Sequence, residues 1–184
     1  TTTWSFSTKA NGPATPTPST GPTTITVGLD GSGDFATFQG AFDWIPQNNT
    51  LPRKLVVKPG IYRDSATLAQ NRNYVTVTGE TTNRGDVQLI YPYAYFAPPA
   101  NVFTAGTLRI ESDDVTVRDI TLDNIIYYPY SPTGRPEDTN AALNGATNTI
   151  ATTGDRIVFD NVLVKGGQDT IYNIFGIVYF HNSE

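Results

Sequence analysis

Few residues of this 184-residue chain are equipped for chemistry, and most carry oxygen or amide groups. Gln168 and Asp169, within Gly167-Gln168-Asp169-Thr170, place an amide beside a carboxyl, groups suited to hydrogen bonding and proton transfer. Taken alone, the same two residues read as the turn of a loop. Two stretches are rich in rings: Tyr91, Tyr93, Tyr95 and Phe96, then Tyr127, Tyr128 and Tyr130 beside Pro129 and Pro132. Rings on loops suit the apolar and CH contacts of sugar faces, and equally well pack a long loop against its own neighbours. His181 is the only histidine and there is no cysteine, which excludes thiolate metal sites and argues against any transition-metal centre. Asp113-Asp114 offers carboxylates to calcium, but no calcium-loop motif surrounds them. The chemistry on offer is that of carboxyls and amides, with no cofactor.

Groups so scattered need a scaffold to bring them together, and the composition bounds what it is. Hydrophobic residues make up 38% and charged residues 16%, so the chain is globular and solvates itself largely with uncharged polar groups. The net charge of −5 and pI near 4.7 argue against nucleic acid or an anionic membrane as partner. No apolar run approaches the roughly 20 residues that span a bilayer. The absence of methionine, even at position 1, and of a signal peptide predicts that the chain is an excised part of something longer.

Residues 1–9 alternate, with Trp4 and Phe6 on one face and Thr3, Ser5 and Ser7 on the other, which predicts a strand. It resembles the closing strand of a bacterial immunoglobulin-like module, and so predicts a domain upstream; the alternative is a disordered tail. Residues 10–23 are a Pro/Thr linker, predicted to be extended and unable to pack a core. The folded domain is expected over 24–184. Phe35, Phe38, Phe42 and Ile45 recur at helical spacing, predicting one helix from Asp34, as N-cap, to Ile45 before Pro46.

Beyond that helix the chain reads as short strands that repeat. Val75, Val115, Ile157 and Val178 each open an apolar-x-apolar kernel, at steps of 40, 42 and 21 residues. The steps predict a period near 21, with less obvious coils between the first three kernels. Four residues after each kernel start stand Gly79, Asp119, Asn161 and Asn182, types that accept the left-handed backbone at least cost. A column of such bends predicts an all-β, right-handed parallel β-helix, with the one helix capping its first coil. A β-sandwich also has many short strands, but it would not hold bend residues in register over a hundred positions.

Four segments in order carry a family resemblance. Thr24-Ile25-Thr26-Val27 with Asp30-Gly31-Ser32-Gly33-Asp34-Phe35 and Thr37-Phe38-Gln39 is similar to the opening strand, glycine turn and capping helix of the pectin methylesterases. Val57-Lys58-Pro59-Gly60-Ile61-Tyr62-Arg63-Asp64 resembles their Gly-x-Tyr-x-Glu motif, with Asp64 where Glu is usual. Thr153-Gly154-Asp155-Arg156 and then Gly167-Gln168-Asp169-Thr170-Ile171-Tyr172 resemble the stretch holding the first catalytic aspartate. The likeness covers residues 24–184 and implies hydrolysis of the methyl esters of pectin (homogalacturonan) by a secreted enzyme.

The resemblance puts Asp169 in the role of general acid and then base, and Gln168 in the oxyanion hole. A carboxyl flanked by another carboxylate keeps its proton for a leaving methoxide, and an amide N–H aimed at the developing charge lowers the barrier by about 3 kcal/mol in comparable sites. Tyr93, Tyr95 and Tyr128 are candidate substrate contacts. The family's Gln-Ala-Val-Ala segment starts eight residues before the glycine of Gly154-Asp155-Arg156, where this chain has Ala146; Asn148 shares its strand parity and is the candidate substitute amide. The family's nucleophilic aspartate and arginine fall beyond Glu184, so the isolated chain is expected to be inactive. A non-catalytic β-helix for glycan binding or cell-surface assembly is the alternative, and a pectate lyase or polygalacturonase is a second enzymatic one.

Overall fold

The computed structural model describes residues 16–17, 22–92, 106–125, 148–167 and 169–184. The chain enters as β1 (Thr24–Val27), crosses the end of the stack as α1 (Phe38–Trp44), and then winds. One coil is β2 (Arg53–Val57), β3 (Gly60–Tyr62) and β4 (Ala66–Leu68); the next is β5 (Val75–Gly79), β6 (Val87–Ile90) and β7 (Leu108–Ile110). Then follow β8 (Val115–Arg118), β9 (Thr121–Asp123) and β10 (Ile150–Thr152), and after them β11 (Ile157–Asp160), β12 (Leu163–Lys165) and β13 (Ile171–Asn173). β14 (Val178–His181) opens one more turn.

Each coil visits three parallel sheets in the same order. The first sheet runs β1-β2-β5-β8-β11-β14, the second β3-β6-β9-β12 and the third β4-β7-β10-β13. The four kernels are in direct register, Val75 on Val115, Val115 on Ile157 and Ile157 on Val178. This is the expected parallel β-helix with one capping helix. Inward residues such as Leu55, Val77, Val117 and Phe159 form one continuous buried column, and Phe180 stacks on Phe159 at 4.9 Å between ring centroids.

The spacing of the kernels has a different cause from the expected one. β5 and β8 are hydrogen-bonded neighbours, as are β8 and β11, so the steps of 40 and 42 residues are single coils and no further coil lies between them. Each of those coils carries a long insertion between the second and third sheets, residues 91–107 and 124–149. A loop can lengthen at small entropic cost while the strands it joins keep their register.

The bend column is also built in two ways. Asp119, Asn161 and Asn182 take positive φ of 60°, 54° and 48°, as expected of their types. Gly79 does not; a Cβ there would collide with the carbonyl oxygen of Asp119 on the next coil, so the residue is needed for close approach. A second left-handed column, unforeseen because two of its residues are bulky, precedes the first sheet at Tyr74, Asp114 and Arg156.

The helix starts later than its periodicity suggested. Thr37 is the N-cap, its hydroxyl accepting from the Gly40 N–H at 3.0 Å. Asp34 instead accepts from the backbone N–H and hydroxyl of Thr26, closing the Gly-rich turn onto β1. Ile45 takes extended backbone, the preference of a residue before proline, and the helix stops there. The cap seats on the first coil through Tyr62, whose ring meets Phe38 edge-on at 5.2 Å and whose hydroxyl donates to the carbonyls of Val27 and Lys58. Burial pushes the Tyr62 phenol up to about 12. Asp64 accepts from the Gln39 N–H in the first turn of α1, so the Gly-x-Tyr-x-Asp motif is a seat for the cap.

Candidate active site at the corner between the second and third sheets

A coil of three strands has three corners, and the two described candidate residues, Asn148 and Asp169, fall at one of them. There the chain passes from β12 to β13 through Gly166, Gly167 and the turn to Thr170. The corresponding passage one coil earlier is the insertion 124–149, and two coils earlier the insertion 91–107. Both insertions therefore leave and re-enter the solenoid beside the Asp169 turn.

Backbone hydrogen bonds tie these points together. On the exit side, the Tyr91 N–H donates to the Asp123 carbonyl at 3.0 Å, and the Asn124 N–H to the Lys165 carbonyl at 3.0 Å. On the return side, the Thr107 N–H donates to the Asn148 carbonyl at 3.3 Å, and the Thr149 N–H to the Thr170 carbonyl at 2.9 Å. The Thr149 hydroxyl crosses the corner to the Lys165 carbonyl at 2.6 Å, and the Thr170 hydroxyl closes on the Gly167 carbonyl at 3.0 Å. Gly166 fits because a Cβ there would press on the Thr149 and Thr170 side chains. The turn is thus pinned from below by two threonines, Thr149 and Thr170, that sequence reading passed over.

Asp169 sits in this turn with φ of 54°, a conformation that Asp adopts more readily than most residues. Asp169 is exposed, and so is Ile171, the register partner of the buried Ile150, because both lie in the last coil and no further strand covers them. Lys165 ends β12 on the outer face, since Val164 packs inward, and is exposed beside the same turn. A single lysine after a strand carried no signal in the sequence. Gln168, Tyr93, Tyr95 and Tyr128 lie outside the described residues.

Asn148, the candidate substitute amide, is fully buried at 0% exposure. Its carbonyl also accepts from the Asn124 side-chain amide at 3.2 Å. It is placed inside the corner, among Thr107, Asn124 and Thr149, all without exposed surface, and the register sets it one coil before Asp169. A polar lining of this kind holds the roots of two insertions through hydrogen bonds.

The other polar clusters lie elsewhere. Arg156 grips Asp114 through two bonds of 2.7 and 2.8 Å and reaches Asp155 at 2.5 Å, at the corner between the third and first sheets. Asp113 stands 3.9 Å from the same guanidinium, so the Asp113-Asp114 pair is engaged by a cation of the chain itself. His181 lies on the outer face of the first sheet, bonded to Asp160 at 2.9 Å and stacked on Tyr179. Among the described residues no group of three or more His, Cys, Asp or Glu is placed to hold a metal ion, and no helix is long and apolar enough to cross a membrane.

Comparison with known proteins agrees with this fold. The family model described as Pectinesterase matches residues 24–184. Pectinesterase QRT1 of Arabidopsis thaliana is 27% identical over 162 residues, which are 85% of this chain and 40% of that protein. A pectinesterase of Ralstonia nicotianae is 27% identical over 163 residues, 79% of this chain and 39% of that protein. Among solved structures, pectin methylesterase PemA from Erwinia chrysanthemi superposes with a TM-score of 0.69 at 21% identity, over 87% of this chain and 47% of that one. A pectin methylesterase solved in complex with a hexasaccharide gives a TM-score of 0.69 at 20% identity, over 86% and 47%. The chain thus spans less than half the length of each. Register, cap and a family match that begins at β1 all lead to one conclusion: this chain belongs to the pectinesterase family.

Proposed function

We propose that this chain supplies the acid/base half of a carboxylic-ester hydrolase that removes methyl groups from homogalacturonan. The observation that carries the reading is the position of Asp169, in a pinned left-handed turn where both long insertions are rooted. A polymer lying along the stack would meet Asp169 and, on the two coils before it, the roots of the insertions whose sequence includes Tyr93, Tyr95 and Tyr128.

The register would let a second carboxylate stand beside it. β10 and β13 pair Ile150 with Ile171, a coil of 21 residues, so a residue one coil beyond Asp169 stands about 4.8 Å from it, one strand spacing. The nucleophilic aspartate of the resembling family lies one coil further on. Its oxygen would attack the ester carbonyl carbon, with the Gln168 amide donating to the oxyanion. Asp169 would pass its proton to the departing methoxide, releasing methanol, and then take one from the water that cleaves the acyl-enzyme. The isolated chain, without that nucleophile, would bind pectin and not turn it over. An extracellular setting suits a polysaccharide substrate, and residues 1–9 would be the last strand of an upstream module joined through the linker.

Ala146, where the family has its first oxyanion glutamine, favours a second reading as a non-catalytic glycan-binding β-helix. Methanol release from methylated pectin by a polypeptide extended past Glu184 separates the two. Activity lost in Asp169→Ala supports the esterase. Activity unchanged by that substitution removes Asp169 from the mechanism, and unsaturated product would mark a lyase instead.

A further inference from the structure

We propose that the proline-rich segment ahead of the solenoid is docked on the cap. Trp44 and Arg53 form a receptor for extended, proline-bearing backbone, and this chain's own Pro16 and Pro22 occupy it. Trp44 is the last residue of α1 and is 5% exposed, so its indole N–H is a buried donor that needs an acceptor. It donates to the Pro16 carbonyl at 2.6 Å, across 28 positions of sequence. Arg53, at the start of β2 and 3% exposed, lies with its guanidinium 5.0 Å from the centre of the Trp44 ring. The same guanidinium bonds the Asn49 side-chain oxygen at 3.2 Å and the Pro22 carbonyl at 3.4 Å. One indole and one stacked guanidinium thus hold two proline carbonyls six residues apart.

The chemistry suits proline in particular. A prolyl residue has no N–H to satisfy, and its fixed φ lowers the entropy lost on docking. Aromatic rings with N–H donors that read the carbonyls of extended proline segments are a recurring mode of peptide recognition. Pro16 and Pro22, read from sequence as parts of an extended linker unable to pack a core, are thus held against the cap beside Trp44.

The test uses the whole chain labelled with 15N. The Trp44 indole N–H should exchange with solvent about tenfold more slowly, or slower still, than free tryptophan. The Thr17 amide should show the same fast-timescale rigidity as the amides of β2. Trp44→Phe keeps a ring and removes the donor; Thr17 should become mobile while the β2 amides stay protected. An indole N–H exchanging at the free rate, or a Thr17 amide already mobile in the wild type, overturns the proposal. Both wild-type measurements decide the matter even if Trp44→Phe does not fold.

Discussion

The side-chain amide of Gln39 hydrogen-bonds both backbone groups of Thr67: its Oε1 accepts from the Thr67 N–H at 2.7 Å and its Nε2 donates to the Thr67 carbonyl at 3.3 Å. β4, which holds Thr67, is the end strand of the third sheet. A helical side chain thus takes the place of the next strand and closes an edge that would otherwise stand open.

Gln39→Ala should therefore destabilise the chain by about 1–2 kcal/mol, the effect of leaving two partly buried backbone groups without their partner. The midpoint of urea unfolding should fall with an unchanged slope. An unchanged midpoint would show that water satisfies this edge as well as Gln39 does.

The closeness of successive coils predicts a sharp contrast between glycines. A Cβ at Gly154 would overlap the backbone of Ser112 on the preceding coil, whereas one at Gly85 would make only ordinary contact with Asn83. Gly154→Ala should cost about 3 kcal/mol or more, and Gly85→Ala about 0.5 kcal/mol or less. Thermal or urea unfolding of the two variants side by side gives the comparison.

Acid stability should depend on Arg156. Its hydrogen bonds hold the Asp114 carboxyl below the ordinary 3.8, while Asp155 is lowered first by the Ile177 N–H and only then by Arg156. A carboxyl depressed in the folded state stabilises it above the ordinary value, and that contribution is lost as pH falls through the lower, folded one. In Arg156→Met the Asp114 carboxyl should titrate at higher pH than in the wild type, while Asp155 keeps the lowering that comes from the Ile177 N–H, which carboxyl 13C shifts will report. The difference in thermal midpoint between variant and wild type should shrink as pH falls below the ordinary carboxyl range and these carboxyls take up protons. A difference that persists there would mean that Arg156 acts through packing alone.

For the proposed esterase, the isolated chain should bind methyl-esterified oligogalacturonate, with amide shifts concentrated at Gly166, Gly167 and Thr170, and release no methanol. In a polypeptide extended past Glu184, Asp169→Asn should lower kcat by about 10²- to 10⁴-fold with a much smaller change in KM. Shifts confined to the outer face of the first sheet would sink the assignment of this corner.

How far the fold was legible depended on what each residue type can reveal. Val75, Val115, Ile157 and Val178 announce strands because apolar alternation is local, and Asp119, Asn161 and Asn182 announce bends because few other types tolerate positive φ. Tyr74 and Arg156 occupy the same left-handed region and gave no sign, since nothing in a tyrosine or an arginine marks that conformation. Asp34 was the reasonable cap by type, but Thr26 lies in reach of its carboxylate only after the Gly-rich turn has folded back.

The candidate site divides along the same line. Sequence by itself determined the solenoid and its cap, because both rest on residue type and spacing along the chain, and four motifs in order carried the resemblance to the family, which in turn singled out Asp169 as the carboxyl to watch. Tertiary structure alone decided that the 40- and 42-residue steps are single coils with insertions, that both insertions are rooted at the Asp169 corner, and that Asn148 is buried there one coil before Asp169. The reason is physical: strand and bend are written in local preference, whereas neighbours across coils are 21 to 42 residues apart and meet only through the hydrogen-bonded register of parallel sheets.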